Sequence, residues 1–361
     1  MILLNPGPVS LSQRVRGVLA GAQDMCHREP EFAEMSREIL TRLEGVYEGA
    51  DDYAAVTLTG SGTAGVEAML STFAQKNQPT LVVANGVYGE RMADMLTRQG
   101  KPVLVARAAW LEPLSLEQVR DLLQKHPEIA CVAVVHHETT TGRLNDLTDL
   151  AGICQVQGKG LLIDAVSSFG GESIPLADWR PLAVASSANK CLHGIPGIAS
   201  VLAKRDVLES APSQATSLYL DLAGYYQMQK KGFSPFTQAV QAAQALCEAL
   251  REFAEEGGWA ARQKQYRDKT ERIRQALLEC GVSSLLPAAD CASMLTTYRL
   301  PTGWRYDRLH DAMKANGFVI YAGQGEFNGR VFRIATMGAI GEKDMAHLLS
   351  TLAAFFRQEI P

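Results

Sequence analysis

Ser186-Ser187-Ala188-Asn189-Lys190-Cys191-Leu192-His193-Gly194 follows the apolar run Leu182-Ala183-Val184-Ala185, and Leu161-Leu162-Ile163-Asp164-Ala165 lies upstream of both. A lysine therefore stands in a loop of small and polar residues after one apolar run, and an aspartate ends another. Burying a charged amine is costly, and the usual response is a lowered pKa. Such an amine forms Schiff bases readily. An aspartate at a strand end can pair with the ring nitrogen of pyridoxal 5′-phosphate and keep it protonated. The lysine–aspartate pair thus points to a site for that cofactor.

Working outward, short apolar runs alternate with helical patterns from about residue 55 to 205. The spacing predicts strands at Ala55–Leu58, Thr80–Ala84, Val103–Ala106, Cys131–His136, Leu161–Asp164, Leu182–Ala185 and Ile198–Leu202. None alternates with polar residues, as expected of strands covered on both faces. Amphipathic helices lie between them, one after Gly60 with Val66, Met69, Leu70 and Phe73 on a single face, another over Leu116–Lys125. Strand–helix alternation implies an α/β fold with a mainly parallel sheet flanked by helices. After Pro235 the rhythm changes to long helices over 237–280. Strand-like Ser293–Tyr298, a helix near Tyr306–Asn316, strands Gly317–Tyr321 and Arg330–Ala335, and a helix over Glu342–Gln358 follow. The expected division is an N-terminal arm (1–20), a large domain (21–240) and a small C-terminal α+β domain (241–361).

Thr59-Gly60-Ser61-Gly62-Thr63 opens a helix. Glycines admit close backbone approach, and hydroxyls with a helix N-terminus offer donors to an anion. A cap alone would look the same, but with Asp164 and Lys190 downstream the stretch reads as a phosphate cradle. Asn85-Gly86-Val87-Tyr88-Gly89-Glu90-Arg91 places an aromatic residue where it could stack on a flat ring or sit on a surface turn. In His136-His137-Glu138-Thr139-Thr140-Thr141-Gly142 the spacing does not match a zinc motif, so no metal is expected. Its threonines suit the cofactor's ring hydroxyl. All these segments fall at the C-terminal ends of predicted parallel strands, where ligands bind in open α/β sheets.

The bulk numbers restrict the partners. With 361 residues, 47% hydrophobic and 20% charged, the composition is that of a globular protein. A formal net charge of −4 gives no electrostatic reason to expect nucleic acid or an anionic membrane. No apolar run approaches the roughly 20 residues needed to span a bilayer, and no secretory signal opens the chain, so a cytoplasmic location is expected. The seven scattered cysteines, with no C-x-x-C pair, fit a reducing compartment. Cys191 and His193, close to Lys190, are expected to pack.

Together these segments resemble the class V aminotransferases of fold type I. The resemblance covers nearly the whole chain, from Leu4-Asn5-Pro6-Gly7-Pro8 through Asp164-Ala165-Val166-Ser167-Ser168-Phe169-Gly170-Gly171 and Ser186–Cys191 to Phe332-Arg333-Ile334. It implies a pyridoxal-phosphate enzyme. Lys190 would bind the cofactor covalently and shuttle a proton, Asp164 would pair with its ring nitrogen, and Tyr88 would stack on the ring. Ser61, Gly62, Thr63 and Ser187 would hold the phosphate, and Thr139 the ring hydroxyl. Thr237 would reach the phosphate site of a neighbouring subunit, implying a homodimer, and Arg333 would bind the substrate's acidic group. Within the family the likeness is greatest to members that move an amino group from 2-aminoethylphosphonate to pyruvate. The segment Cys26-His27-Arg28-Glu29-Pro30-Glu31-Phe32 departs toward the alanine- and serine–glyoxylate members, and it makes His27 and Arg28 candidates for the substrate entrance. The alternatives are therefore an aminotransferase of that second kind and, outside enzymes, a pyridoxal-phosphate-binding sensor. Intact Lys190, Asp164 and Arg333 speak against the sensor.

Overall fold

The computed structural model describes residues 1–210 and 212–357. Its large layer is built on a sheet of seven strands: β1 (Tyr53–Gly60), β2 (Thr80–Ala84), β3 (Val103–Arg107), β4 (Cys131–Val135), β5 (Gly160–Asp164), β6 (Ala183–Ser187) and β7 (Gly197–Lys204). In space they run β1-β7-β6-β5-β4-β2-β3. Neighbours pair in parallel except β7, which is antiparallel to both β1 and β6. The sheet is thus the mainly parallel, mixed one expected.

Period-2 side-chain alternation explains why these strands lack polar residues. Leu81, Val83, Val132, Val134, Ile163 and Val184 pack into one core. Val82, Ala133, Val135, Leu162, Ala183 and Ala185 pack into another on the opposite face. Burying a valine or leucine fully contributes about 1.5–3 kcal/mol, so covering both faces fixes the register firmly. Helix α1 (Gly62–Phe73) follows β1, and helix α2 (Val87–Arg98) follows β2.

Helix α3 (Val240–Glu255) was expected in the small domain, yet Val240, Leu246, Leu250 and Phe253 lie in the large-layer core. The sequence changes rhythm at Pro235 because the strands end there, not because the layer does. The chain leaves the large layer at Gly257–Gly258, both with positive φ (99° and 75°), and enters α4 (Gly258–Leu278). Beyond it, β8 (Leu295–Arg299), β9 (Tyr321–Ala322) and β10 (Val331–Ala335) form an antiparallel sheet in the order β8-β10-β9. The expected strand Gly317–Tyr321 is split. Phe318–Val319 pairs in parallel with Ile2–Leu3, while Tyr321–Ala322 pairs with β10. Ile320 between them is drawn into the small core and turns the chain from one ladder to the other. Leu4 also lies in that core, so the N-terminal arm is anchored to the small layer. The final helix ends at Phe356; Gln358, its expected last residue, lies outside the described residues. No helix among the described residues is long and apolar enough to cross a membrane.

Candidate active site

The ends of β2, β4, β5 and β6 and the start of α1 meet around a cavity lined by Thr63, Tyr88, Thr139, Asp164 and Lys190 among others. Parallel pairing brings this about. Strands running the same way deliver the loops that follow them to one edge of the sheet. Asp164 is the last residue of β5, and Thr139 lies just past β4.

Burial holds the Lys190 amine down at about 8, against an ordinary 10.5. A low pKa alone does not mark a nucleophile. Lys101, 3% exposed, is pushed down to about 8 by the same cause. Its Nζ, however, donates to the carbonyls of Leu70 (3.2 Å), Ser71 (2.5 Å) and Ala74 (2.6 Å). Lys101 therefore closes the C-terminal end of α1. The Lys190 amine lines the cavity, and the one hydrogen bond it makes among the described residues is to the Pro6 carbonyl of the N-terminal arm. Because a depressed pKa leaves a cation neutral above that value, capture of pyridoxal phosphate by cofactor-free protein should rise as pH passes about 8. The rate of colour development across a pH series checks this; a midpoint near the ordinary lysine value would show a solvated amine.

Asp164 is buried, and burial pushes its carboxyl up to about 6. Oδ1 accepts the Val166 N–H at 2.9 Å. Both neighbouring histidines stay neutral, since burial drives His136 down to about 3 and His137 to about 4. His136 Nδ1 lies 3.0 Å from Ser168 Oγ, and its ring meets Trp179 edge-on. Burial also lifts the Cys191 thiol to about 12, so it stays protonated. His193, at φ 60°, has Nε2 2.5 Å from the Tyr266 hydroxyl and accepts the Gly338 N–H at 2.9 Å, bracing the lysine loop against the small layer.

Ser61 is the N-cap of α1 and makes no side-chain cap bond, which leaves the first-turn N–H groups of the helix open. A Cβ at Gly62 would fall 2.5 Å from Val166 Cγ1 and 3.1 Å from Ser187 Cβ. Only a glycine lets the cradle close on the Asp164–Val166 loop and on Ser187. The Ser187 hydroxyl donates to Asn189 Oδ1 at 2.6 Å. Thr63 at the open helix start, the buried Asp164 carboxyl and the Lys190 amine line one cavity, a donor set that fits pyridoxal phosphate; Ser61, Gly62 and Ser187 are not among the lining residues.

Tyr88 lines the cavity with the Arg91 guanidinium 4.6 Å from its ring centroid. Arg333 is on β10, where Phe332 and Ile334 face the small core, so period 2 turns Arg333 toward the large layer. It is 1% exposed. Nη1 donates to the Thr139 carbonyl at 2.8 Å, and Nε and Nη2 donate to the Ala322 carbonyl at 2.9 and 2.7 Å. It stands behind Thr139 and is not among the residues lining the cavity. His27 and Arg28 precede the helix Pro30–Glu44 and are not among them either; the His27 ring meets Phe32 edge-on at 6.5 Å. Thr237 is exposed, while Ala239 beyond it donates to Thr59 Oγ1 at 3.0 Å beside the cradle. Arg91, His137, Val166 and Ser167 line the cavity without having been singled out from sequence. For the last two the signal was available in their closeness to Asp164.

A family model described as aminotransferase class-V matches residues 20–324. The 2-aminoethylphosphonate–pyruvate transaminase of Bacillus cytotoxicus is 34% identical over 356 residues, covering 98% of this chain and 97% of the relative. The transaminase of the same description from Pseudomonas putida KT2440 is 33% identical over 360 residues, covering 99% and 97%. Among solved structures, an aspartate aminotransferase from Thermus thermophilus superposes with a TM-score of 0.90 at 26% identity over the full length of both chains. An alanine–glyoxylate aminotransferase from Nostoc sp. does so with 0.90 at 27% identity, over 99% of this chain and 95% of the other.

Proposed function

The chain belongs to the class-V aminotransferase family of pyridoxal-phosphate enzymes, and on that premise we propose that it transfers the amino group of 2-aminoethylphosphonate to pyruvate, giving phosphonoacetaldehyde and L-alanine. The observation that carries the choice of an acidic substrate is Arg333. Its guanidinium is buried, it is bonded only to neutral carbonyls, and it has no carboxylate partner among the described residues. The guanidinium also lies over the Tyr321 ring, 4.9 Å from its centroid, but no anion among the described residues is bonded to it, and a phosphonate or carboxylate would meet it with the planar donor geometry of arginine. The relatives named for this reaction support the donor and the acceptor.

When bound, pyridoxal phosphate supplies an aldehyde that captures amines and a ring that takes up electron density from the substrate carbon. The protein supplies the rest. The first turn of α1 and Ser187 hold the phosphate. Asp164, kept from water, holds the ring nitrogen in its protonated form. Lys190, neutral above about pH 8, accepts the proton from the donor carbon at Nζ and returns it, a general acid–base role. Arg333 orients the phosphonate in one half-reaction and the pyruvate carboxylate in the other. The reading includes a homodimer in which Thr237 acts across the subunit boundary. The exposed Leu218 (82%) and Phe233 (38%), in segments flanking the cradle, support an apolar contact there. It also includes a cytoplasmic location.

Arg333→Lys should raise KM for both 2-aminoethylphosphonate and pyruvate by about tenfold or more, since a point charge does not replace a planar fork. Steady-state kinetics with each substrate varied check this; a change confined to one substrate would separate the two binding roles. The alternative, an alanine- or serine–glyoxylate aminotransferase, is favoured by the Cys26–Phe32 segment and by the likeness to the alanine–glyoxylate aminotransferase of Nostoc sp.. Supplying candidate amines one at a time to the holoenzyme decides between them. Good turnover of serine with none of 2-aminoethylphosphonate would replace the main reading.

A further inference from the structure

The motif His136–Gly142 contains a carboxylate for which neither the cofactor nor the substrate has a use. Glu138 is 0% exposed. Its Oε1 accepts the Thr140 hydroxyl at 2.6 Å and the Thr140 N–H at 3.2 Å, and its Oε2 accepts the Tyr88 N–H at 3.2 Å. The Thr140 and Tyr88 N–H groups favour the charged form, while burial, with Asp164 nearby, pushes the carboxyl's pKa up. The Tyr88 N–H belongs to the first turn of α2, where a negative charge is favoured. Room for the carboxylate comes from Gly86, whose added Cβ would lie 2.3 Å from Glu138 Cδ. The Gly86 backbone is extended (φ 179°), a conformation any residue adopts, so the glycine serves this approach and not a turn.

We infer that Glu138 is a positioning residue for the cofactor ring, acting through Tyr88 and Thr139; this rests on the pyridoxal-phosphate reading above. Tyr88 and Thr139 arrive on different strands. The Asn85–Asn145 amide pair joins the bases of the two segments (2.8 and 3.3 Å), and the Glu138 carboxyl joins them again next to Tyr88 and Thr139 themselves. One oxygen holds the backbone that carries the Tyr88 ring. The other holds Thr140, and so the peptide that presents the Thr139 hydroxyl to the cavity. The Thr139 carbonyl in turn receives Arg333, so a single carboxylate sets the mutual placement of ring stacker, ring-hydroxyl partner and substrate arginine. Leaving a fully buried group without its hydrogen bonds is costly, so these contacts hold both segments firmly.

The test uses purified holoenzyme stripped of cofactor and titrated with pyridoxal phosphate. Affinity is read by fluorescence, and ring orientation by the visible circular dichroism of the bound cofactor. Glu138→Gln turns an amide N–H toward either the Tyr88 N–H or Thr140. It should weaken cofactor binding about tenfold or more and reduce the visible dichroic band, while the far-ultraviolet spectrum stays that of the wild type. Gly86→Ala, which displaces the carboxylate from the other side, should reproduce both changes. A merely structural role would lower thermal stability without moving the dichroic band. A folded Glu138→Gln with wild-type affinity and band overturns the inference. If that variant fails to fold, Gly86→Ala decides alone, and a wild-type band there overturns it. Wild-type protein that takes up no pyridoxal phosphate would remove the cofactor reading and this inference with it, an outcome visible before any variant is made.

Discussion

Replacing Lys190 with alanine should abolish amino transfer, with a loss of at least about 10⁴-fold, the upper end of what a positioned proton-transfer group supplies. The estimate is a floor because, on the proposed reading, the same side chain would also provide the covalent attachment of the cofactor. Two observations place the effect on this lysine and not on Lys101, which is comparably depressed in pKa: the Lys190 amine opens on the cavity, and Asp164 lines the same space. Borohydride reduction followed by peptide mass analysis is the direct check. Wild-type protein should carry the reduced cofactor on Lys190, and Lys190→Ala should carry none. Near-wild-type turnover in the variant, or a label fixed on another residue, would overturn the assignment. Lys190→Arg keeps a positive charge but cannot release its proton near neutrality, so it should be as inactive as the alanine variant.

Asp164→Asn is the second large effect. The amide keeps an oxygen for the Val166 N–H and nearly the same volume, but it removes the charge that, on the proposed reading, would keep the ring nitrogen protonated. Turnover should fall about 10²- to 10³-fold, the usual consequence of deleting one preorganised electrostatic partner. The pH dependence provides a second check. The free carboxyl titrates near 6, raised by burial. A raised pKa in a carboxylic acid means the charged form is lost sooner as pH falls. Cofactor affinity of the wild type should therefore drop through about pH 6, and this drop should be absent in Asp164→Asn. A wild-type rate in the variant would count against the electron-sink role.

The strands of the large layer were legible because both faces are covered. Ile163 and Leu162 serve different cores, so the run reads as uninterrupted apolar sequence. The lysine and aspartate were legible because each follows such a run. The reversed direction of β7 was not, since an apolar strand buried on both faces carries the same composition either way. Helix α3 was assigned to the wrong layer because an amphipathic stripe shows that a face is covered and not by what. Arg333 was found through resemblance, but its attachment to the Thr139 carbonyl joins residues 194 apart in sequence, beyond any local signal. Glu138 was passed over for a related reason. Read along the chain it is an acid beside two histidines whose spacing fits no zinc motif, which gives it no evident role. Its actual partners are the hydroxyl and N–H of Thr140 and the N–H of Tyr88, fifty residues away.

The arm that reaches Lys190 is short. Ile2 and Leu3 are hydrogen-bonded into a ladder with Phe318 and Val319, and Leu4 is packed in the same layer, yet Pro6 already touches the amine. Two residues of fully extended chain span at most about 7 Å, so this leash is short. Any rocking of the C-terminal half by more than a few ångströms has to pull the carbonyl off the nitrogen or press it down. Mechanical displacement at Phe318–Val319 is thereby delivered to the Lys190 nitrogen through main chain alone, with no side chain to relay it.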